Sequence, residues 1–380
     1  MKSLSILLSA LLLCLISKSQ KAISTNGPCT DAKLINAKGS WTKADPFDRG
    51  SAGSAELNKR IDDIHKLLLQ TIPQPTGVDA AWHRSYGISY FGSNTKQAHF
   101  IKMVSSCGFF RYFCSNGNAM SPDIETGTWF GVIANNSGGS STGDEEWMIN
   151  GVPVIMQNRA QRTVRGYGIR QSEPGDKNLS VLIHRPGISP YIPVTRKQYL
   201  DQCIRYTTQL HDEVISGLEQ VPVRSPEEQE KEKKAKLAKF EKDYANDAKK
   251  LKANVDYYLS GYQTDQQQKE ERLNKARKIK SEQLKKFSDE LAKITTDGSL
   301  NQQAVIATKY QTDPVFEIDP TKGNLLVTEN PSYIRKDLPK HVPQFFIVFW
   351  VCNDWESQKK IGEIIEQYFP FDKLQALIDK

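Results

Sequence analysis

The chain has 380 residues, with 51 basic and 44 acidic side chains and a formal charge of +7 at neutral pH. With 38% hydrophobic and 25% charged residues, its composition is globular and excludes both a disordered chain and an integral membrane protein. The excess charge is local, because residues 226–294 carry 18 Lys and Arg against 14 Asp and Glu and so account for +4 of the total. Interleaved charges of both signs are typical of solvated helix faces, so we expect no nucleic-acid partner.

Residues 1–19 have the pattern of a secretory signal peptide. Lys2 precedes an apolar run at 5–16, and the small residues Ser17 and Ser19 stand at positions −3 and −1 of a cleavage site. The run is shorter than the ~20 residues needed to span a bilayer, and a short membrane anchor is the alternative. We therefore expect an exported protein that is periplasmic, associated with the outer envelope or secreted, without a transmembrane segment. Residues 20–53 are polar and are predicted to form a flexible leader.

Five cysteines follow the predicted cleavage site, and an odd number in an exported chain leaves at least one thiol free. Cys203 and Cys352 are predicted to be buried apolar residues, because one lies on a helical stripe and the other ends an apolar run. Cys107 and Cys114 are the candidate disulfide. On one helix their Cα atoms would be ~10 Å apart, which is too far for a disulfide, so this pairing requires a turn between them.

Residues 54–194 are predicted to form the first part of an α+β domain. One helix begins after the cap Ser54 and ends before Pro73, and a second helix is predicted over 93–107. Segments rich in Val, Ile and aromatic residues, bounded by Gly, Asn, Ser and Pro, then predict strands at 128–134, 147–157 and 179–184.

Residues 195–297 are predicted to be helical throughout. Three capping patterns begin three segments, at Thr195, Ser225 and Thr264, each with Glu or Gln three residues later. The second and third segments each have one narrow apolar seam and a length of about 45–55 Å, so we expect them to form a long antiparallel hairpin. The first segment has its own apolar stripe, which consists of Tyr199, Cys203, Tyr206, Leu210, Val214 and Leu218.

Residues 298–380 are predicted to complete the α+β domain. The run QFFIVFWVC at 344–352 is typical of a central strand buried on both faces, and a closing helix follows it. The predicted fold class is therefore α+β, with a mixed or antiparallel sheet, flanking helices and an inserted helical hairpin that resembles a coiled coil. Shorter strands are predicted at 304–308, 315–318 and 325–328.

Common catalytic motifs are missing from the sequence. It contains no phosphate-binding glycine loop, no His-Glu-x-x-His and no Gly-x-Ser-x-Gly. The six histidines show no spacing typical of a local metal site, and no Cys-x-x-Cys pair occurs, so we expect neither metal nor cofactor. These absences lower the expectation of an enzyme without removing it.

Three residues are weak candidates for catalysis. Glu125 and Glu145 precede tryptophans, and paired carboxylates beside aromatic surface are the equipment of a glycosidase. His184 ends a predicted strand, where a histidine can act as a general base. The alternative for all three is an ordinary solvated position at the end of a strand.

Four arginines lie within 12 residues, and guanidinium groups recognise carboxylate, phosphate or sulfate through forked hydrogen bonds. The alternative is a solvated strand face with acidic partners on neighbouring elements. The candidate anion-binding residues are Arg159, Arg162, Arg165 and Arg170.

Two functions are consistent with the sequence. The first is a non-enzymatic exported protein that uses its helical hairpin for contact with a protein partner or the cell envelope. The alternative is a secreted hydrolase acting on a glycan or another anionic envelope polymer, which would use the carboxylates, His184 and the arginines.

Overall fold

A computed structural model gives the structure of the protein. It describes residues 23–24, 28–43, 54–90, 99–115, 119–123, 127–136, 145–149, 152–171, 177–307, 314–319, 321–351 and 353–380. The chain divides into two compact units. The sheet unit comprises Met1–Ile149, Pro153–Val194 and Gln303–Lys380, and the helical unit comprises Thr195–Gln302 together with Asn150–Val152.

The structure has mixed α and β content, as the α+β class predicts. The strands are β1 (Ile23–Ser24), β2 (Trp41–Lys43), β3 (Val78–Tyr90), β4 (His99–Cys114), β5 (Ala119–Pro122), β6 (Thr128–Ala134), β7 (Glu145–Ile149), β8 (Val152–Gln157), β9 (Ala160–Val164), β10 (Tyr167–Gln171), β11 (Asn178–Ile183), β12 (Tyr191–Pro193), β13 (Val305–Ile306), β14 (Asn324–Glu329) and β15 (Phe346–Val351). The helices are α1 (Asp31–Asn36), α2 (Ala55–Thr71), α3 (Arg196–Glu219), α4 (Pro226–Asp243), α5 (Ala248–Gly261), α6 (Asp265–Thr296), α7 (Glu356–Tyr368) and α8 (Phe371–Gln375).

The larger sheet has ten described strands. Its main path runs β1-β5-β4-β6-β15-β11-β10-β9, while β3 pairs with β4 and β2 with β3. Strand β15 lies between β6 and β11 and is mostly buried, which confirms the central strand predicted from the apolar run. The C-terminal strand therefore joins strands that precede the helical unit in the chain.

One face of this sheet carries the main core. Helix α2 is capped by Ser54, whose side chain accepts a hydrogen bond from the Leu57 amide, and it buries Leu57, Ile61 and Leu68 at helical spacing. Alternate residues of β6, β15 and β11 point to the same side, because a strand presents every second side chain to one face. Helices α7 and α8 supply further buried side chains to this core, namely Ile361, Ile365, Phe371 and Leu374.

A second sheet contains five described strands in the order β12-β14-β8-β7, with β13 paired to β14. The segment 147–157, predicted as one strand, is two neighbouring strands, β7 and β8. The segment 315–318, predicted as a strand, forms bends instead.

Two expectations for the N-terminal half are wrong. Residues 93–98 of the predicted helix over 93–107 lie outside the described residues, and the rest belongs to strand β4, which pairs with β3 over residues 99–111. The predicted leader over 20–53 contains β1, α1 and β2, and β2 pairs in parallel with β3.

The disulfide prediction is also wrong. Cys114 pairs with Cys29, and Cys107 is a buried free thiol. Cys107 and Cys114 lie on the same strand, where seven residues span ~23 Å, so no bridge can join them.

In the helical unit, the pairing of helices differs from the predicted two-arm hairpin. The second predicted segment, which is the first arm of the hairpin, is interrupted at Tyr244–Asp247, which separates α4 from α5. Helix α6 packs against α3, and α4 packs against α5. All three predicted capping boxes, at Thr195, Ser225 and Thr264, are present.

Candidate contact surface

Helices α3 and α6 form an antiparallel pair joined by polar contacts. Lys280 Nζ lies 2.5 Å from Asp212 Oδ1, and the Arg277 guanidinium lies 3.0 Å from Glu219 Oε1. His211 Nε2 lies 3.0 Å from Gln283 Oε1. These contacts fix which residues of the two helices are level with each other.

Helix α3 has two apolar stripes rather than one. The stripe toward α6 includes the half-buried residues Ile204, Ile215 and Leu218 and the buried residue Thr207. The second stripe is exposed after the first turns of the helix. This is unusual, because the apolar stripe of a paired helix is normally the face that packs against its partner. Its exposed members are Tyr206, Leu210, Val214 and, just beyond the helix, Val221, with 37–45% of each residue's surface accessible.

The apolar stripe predicted for this helix has the spacing that is typical of a packed helix face. The structure buries Tyr199 and Cys203 at the start of α3 but exposes the next three members. Sequence periodicity alone could not show this difference, because it is the position of α6 that decides which stripe is covered.

Ile279 on α6 extends the exposed apolar surface. It lies one turn before Gln283, which contacts His211, and His211 in turn lies beside Leu210 and Val214 on α3. We call the set Tyr206, Leu210, Val214 and Ile279 the contact face. Its four apolar side chains are half-exposed and lie on the two paired helices.

The other two helices of this unit are held by their own contacts. Phe240 of α4 and Tyr258 of α5 pack edge to face, with ring centroids 5.8 Å apart. At the start of α4, Arg224 forms a forked ion pair with Asp265, and this hydrogen bonding lowers the pKa of the Asp265 carboxyl. The buried Gln229 amide accepts a hydrogen bond from the Asp265 amide at 2.9 Å, so the starts of α4 and α6 are joined.

The four candidate arginines do not converge on one site. Arg162 forms two 2.6 Å hydrogen bonds with Glu366 of α7, and this pairing raises the pKa of its guanidinium group. Arg165 adopts a positive φ of 51° in the turn between β9 and β10 and donates to the Phe369 carbonyl at 2.9 Å. Both groups thus bind the protein's own chain.

The other two arginines are placed differently. Arg170 lies next to Ile169 on β10, and the pairing of β10 with β11 puts it on the opposite sheet face from that core residue. Arg159 is partly buried just before β9. The hairpin of β9 and β10 instead docks on α8 through Tyr167, whose hydroxyl donates to Asp372 at 2.8 Å.

The catalytic candidates are not assembled into a site by the described residues. His184 Nδ1 lies 2.8 Å from the carbonyl oxygen of Arg185, so the ring bonds its own backbone. Its neighbour Arg185 forms a forked ion pair with Asp379 and packs over the Tyr333 ring. Glu145 begins β7, and Glu125 lies outside the described residues.

Sequence reasoning missed one pair of potentially reactive side chains. His65 Nδ1 lies 2.8 Å from Ser105 Oγ, between α2 and the sheet. Burial lowers the pKa of His65 to about 4, and the imidazole is therefore neutral at physiological pH. Both residues are buried, so the arrangement is a core hydrogen bond without access for a substrate.

A cavity of about 340 Å³ in the sheet unit is lined mainly by charged residues of α2 and the last residues of the chain. Neither His184 nor the four arginines line it. Within the described ranges, no group of three or more His, Cys, Asp or Glu side chains is arranged to hold a metal. No described helix has both the length and the apolar character needed to cross a bilayer.

No protein-family model matches the chain, and searches of curated proteins and of solved structures give no match either.

Proposed function

We propose that this is an exported, non-enzymatic protein whose helical unit binds a protein partner or a cell-envelope surface through the contact face. The observation that carries this proposal is the half-exposed apolar stripe on α3, continued by Ile279 on α6. Contiguous apolar surface on a folded protein is typical of an interaction site, whereas single exposed apolar residues are ordinary.

The disulfide supports the export part of the proposal. Disulfides persist in oxidising compartments and are rare where glutathione and thioredoxin keep thiols reduced. Cys29 and Cys114 are joined, and Cys114 is exposed, so a reducing cytosol would have access to this bond. The N-terminal pattern of a charged residue, an apolar run and small residues agrees with the same route.

The polar candidates outside the helical unit support the non-enzymatic part. Arg162, Arg165 and His184 all bind groups of the protein itself, as we expect of residues with a structural role.

Photo-cross-linking in the cells that produce the protein tests the contact face. A photoreactive phenylalanine replaces Tyr206, and the matched control replaces Ile318, which is 83% exposed and lies in the sheet unit. We expect cross-linked products from position 206 and none from position 318. Failure to cross-link at 206, or equal products from both positions, would contradict the proposal.

The export step has its own measurement. N-terminal sequencing of the protein recovered from the cell exterior or envelope fraction should give a chain that begins at Gln20. Recovery of the protein only from the cytosol, with residues 1–19 intact, would refute export while leaving the contact face untested by that result.

A further inference from the structure

We propose that the partner on the contact face is a protein that presents an amphipathic α-helix with one acidic edge, and that this edge lies along α6. This inference rests on the proposed function, since it names the chemistry of the partner. A helix that lies along two paired helices buries its apolar stripe between them, which is a common mode of peptide recognition.

One sector of α6 is basic where the helix borders the contact face. At 100° per residue, four basic side chains of α6 lie within about 40° of Ile279 around the helix axis. We call these four residues the basic row. They are Arg272, Lys275, Lys286 and Lys293. The row extends about 32 Å along the helix, so it accompanies the exposed stripe of α3 over its whole length.

Most of the basic row is not neutralised by α6 itself. Arg272 and Lys275 are exposed, Lys286 is half-buried, and none of the three forms an ion pair with a described residue. Lys293 lies 3.4 Å from Glu290, which is the acidic residue of the same sector. The sector beside the contact face therefore keeps a net positive charge.

Other charges of α6 lie away from the contact face and are paired with each other. Lys278 lies 3.9 Å from Glu282. Lys285 lies 2.5 Å from Asp289. Both lysines are about 100–120° around the helix from Ile279, on the side opposite the buried residues that face α3. The charges of α6 alternate along the sequence, but the folded helix separates them by face.

The far edge of the contact face, on α3, is different in charge. About 60–100° around α3 from Leu210, on the side away from α6, the side chains are amides and one carboxylate. They belong to Gln202, Gln209, Glu213 and, just after the helix, Gln220. The Gln209 amide donates a hydrogen bond to the Glu213 carboxylate at 3.0 Å. One edge of the contact face is thus basic, and the other is uncharged or acidic.

This asymmetry favours a helix with unlike edges over two other occupants. Acidic side chains on one edge of such a helix meet the basic row, and uncharged polar side chains on the other edge meet α3. An anionic lipid surface would contact both edges at once and would repel the Glu213 carboxylate. A second copy is disfavoured because a two-fold axis level with Leu284 would set Lys275 against Lys293 of the second copy.

Two synthetic helical peptides test this inference on the purified protein. Both carry the same stripe of leucines with glutamines along one edge, and the other edge carries glutamates in the first peptide and lysines in the second. We expect the glutamate peptide to bind at least about tenfold more tightly at low ionic strength, and we expect high salt to reduce this difference. Equal binding of the two peptides, or no binding of either, would overturn the inference.

Matched double variants test whether the basic row is responsible. Lys275→Glu with Lys286→Glu reverses two charges of the row and should weaken binding of the glutamate peptide at least about tenfold. Lys278→Glu with Lys285→Glu changes the net charge equally on the other side of α6 and should leave the affinity nearly unchanged. Circular dichroism checks that both variants fold. Equal losses would show that net charge attracts the peptide, and would overturn the inference.

The product of photo-cross-linking at Tyr206 distinguishes this inference from the proposed function. A partner protein cross-linked through an amphipathic helix with an acidic edge supports the inference. A product of twice the chain mass would overturn it and leave the proposed contact function standing. Binding to phosphatidylglycerol vesicles, together with equal binding of the two peptides, would do the same. Absence of any cross-linked product would contradict both.

Discussion

At the scale of single residues, His65 couples the stability of the main core to pH. Its ring lies against Trp82, with centroids 4.5 Å apart, and contacts Ser105, while no described residue hydrogen-bonds its Nε2 atom. Burial lowers the pKa of His65 from 6.5 to about 4. Between these values the unfolded chain binds a proton that the folded chain does not, so stability falls as pH falls through this window.

We expect protonation of His65 in the unfolded chain to lower the free energy of unfolding by about 2 kcal/mol when the pH falls from 7 to 5. Urea unfolding at the two pH values should show this loss in the native protein. His65→Leu, which cannot bind a proton, should reduce the difference by that amount. His184→Gln is the control, because His184 lies outside this helix–sheet contact, and it should keep the difference. An unchanged pH dependence in His65→Leu would refute the assignment.

Glycines in the sheet make room for aromatic rings on the neighbouring strand. Gly131 faces Phe349, and a Cβ at this glycine would lie 2.6 Å from the Phe349 ring and 3.1 Å from the Ser105 carbonyl oxygen. Gly108 faces Trp129 in the same way, with a Cβ 2.9 Å from the ring. The two pairs are cross-strand contacts in which an aromatic ring covers a glycine.

Gly131→Ala should therefore lower the free energy of unfolding by about 1–3 kcal/mol, since the added methyl overpacks the contact with Phe349. Gly87→Ala is the matched control on β3, because a Cβ there meets nothing within 4 Å. It should be neutral or slightly stabilising, as alanine orders a strand at lower entropic cost. Equal losses from the two substitutions would show that steric fit at Gly131 is not the cause.

At the scale of elements, α6 depends on its capping box. The Thr264 hydroxyl accepts a hydrogen bond from the Gln267 amide at 3.2 Å, and the Gln267 side chain accepts one from the Thr264 amide at 2.9 Å. Thr264→Ala should cost about 1 kcal/mol of helix stability because it leaves an amide of the first turn without its partner. Thr295→Ala in the last turn should be nearly neutral, since alanine is the better helix former.

Two probes locate that loss. None of the six tryptophans lies in residues 195–302, so tryptophan fluorescence reports the sheet unit, while circular dichroism at 222 nm is dominated by the helices. We expect Thr264→Ala to shift the unfolding midpoint seen by circular dichroism and to leave the fluorescence midpoint in place. A shift of both midpoints by the same amount would mean that the two units unfold together.

Local signals explain which elements the sequence could predict. The three capping boxes and the strand at 128–134 follow from residues within one turn or one strand, and the structure confirms all of them. Strand β4 was predicted as a helix because apolar residues occur on both of its faces, for example Met103 toward the core and Val104 away from it. The two-residue period is then hidden, and pairing with β3, which is remote in sequence, decides the structure.

The contact face lay within a stripe that the sequence did identify, but its exposure was not predicted. Tyr206, Leu210 and Val214 have the spacing of a packing seam, and spacing does not show which neighbour arrives to cover it. Helix α6 packs beside this stripe rather than on it. These three side chains therefore combine the spacing of a packed face with an exposed surface. For this reason we propose an interaction there.

At the scale of the whole molecule, contacts between distant parts of the chain decide the organisation. The disulfide joins Cys29 to Cys114 over 85 residues, and β15 enters the centre of a sheet whose neighbouring strands precede it by more than 160 residues. Cysteine spacing does not determine connectivity, so the nearer pair in sequence was a poor guide. The disulfide fixes the N-terminal segment to β4. Strand β2 of the same segment also pairs in parallel with β3.

Removal of this disulfide should destabilise the sheet unit. A loop of this length gives about 4–5 kcal/mol in the chain-entropy model, and native disulfides typically contribute about 2–4 kcal/mol, so we expect a loss in the lower range for Cys29→Ser. Added reductant should lower the melting temperature of the native protein and have no further effect on the variant. The buried thiols should not respond, since burial raises the pKa of Cys203 to about 12 and also raises that of Cys107. Equal melting temperatures for the oxidised protein and Cys29→Ser would show that the N-terminal segment is held by its strand contacts alone.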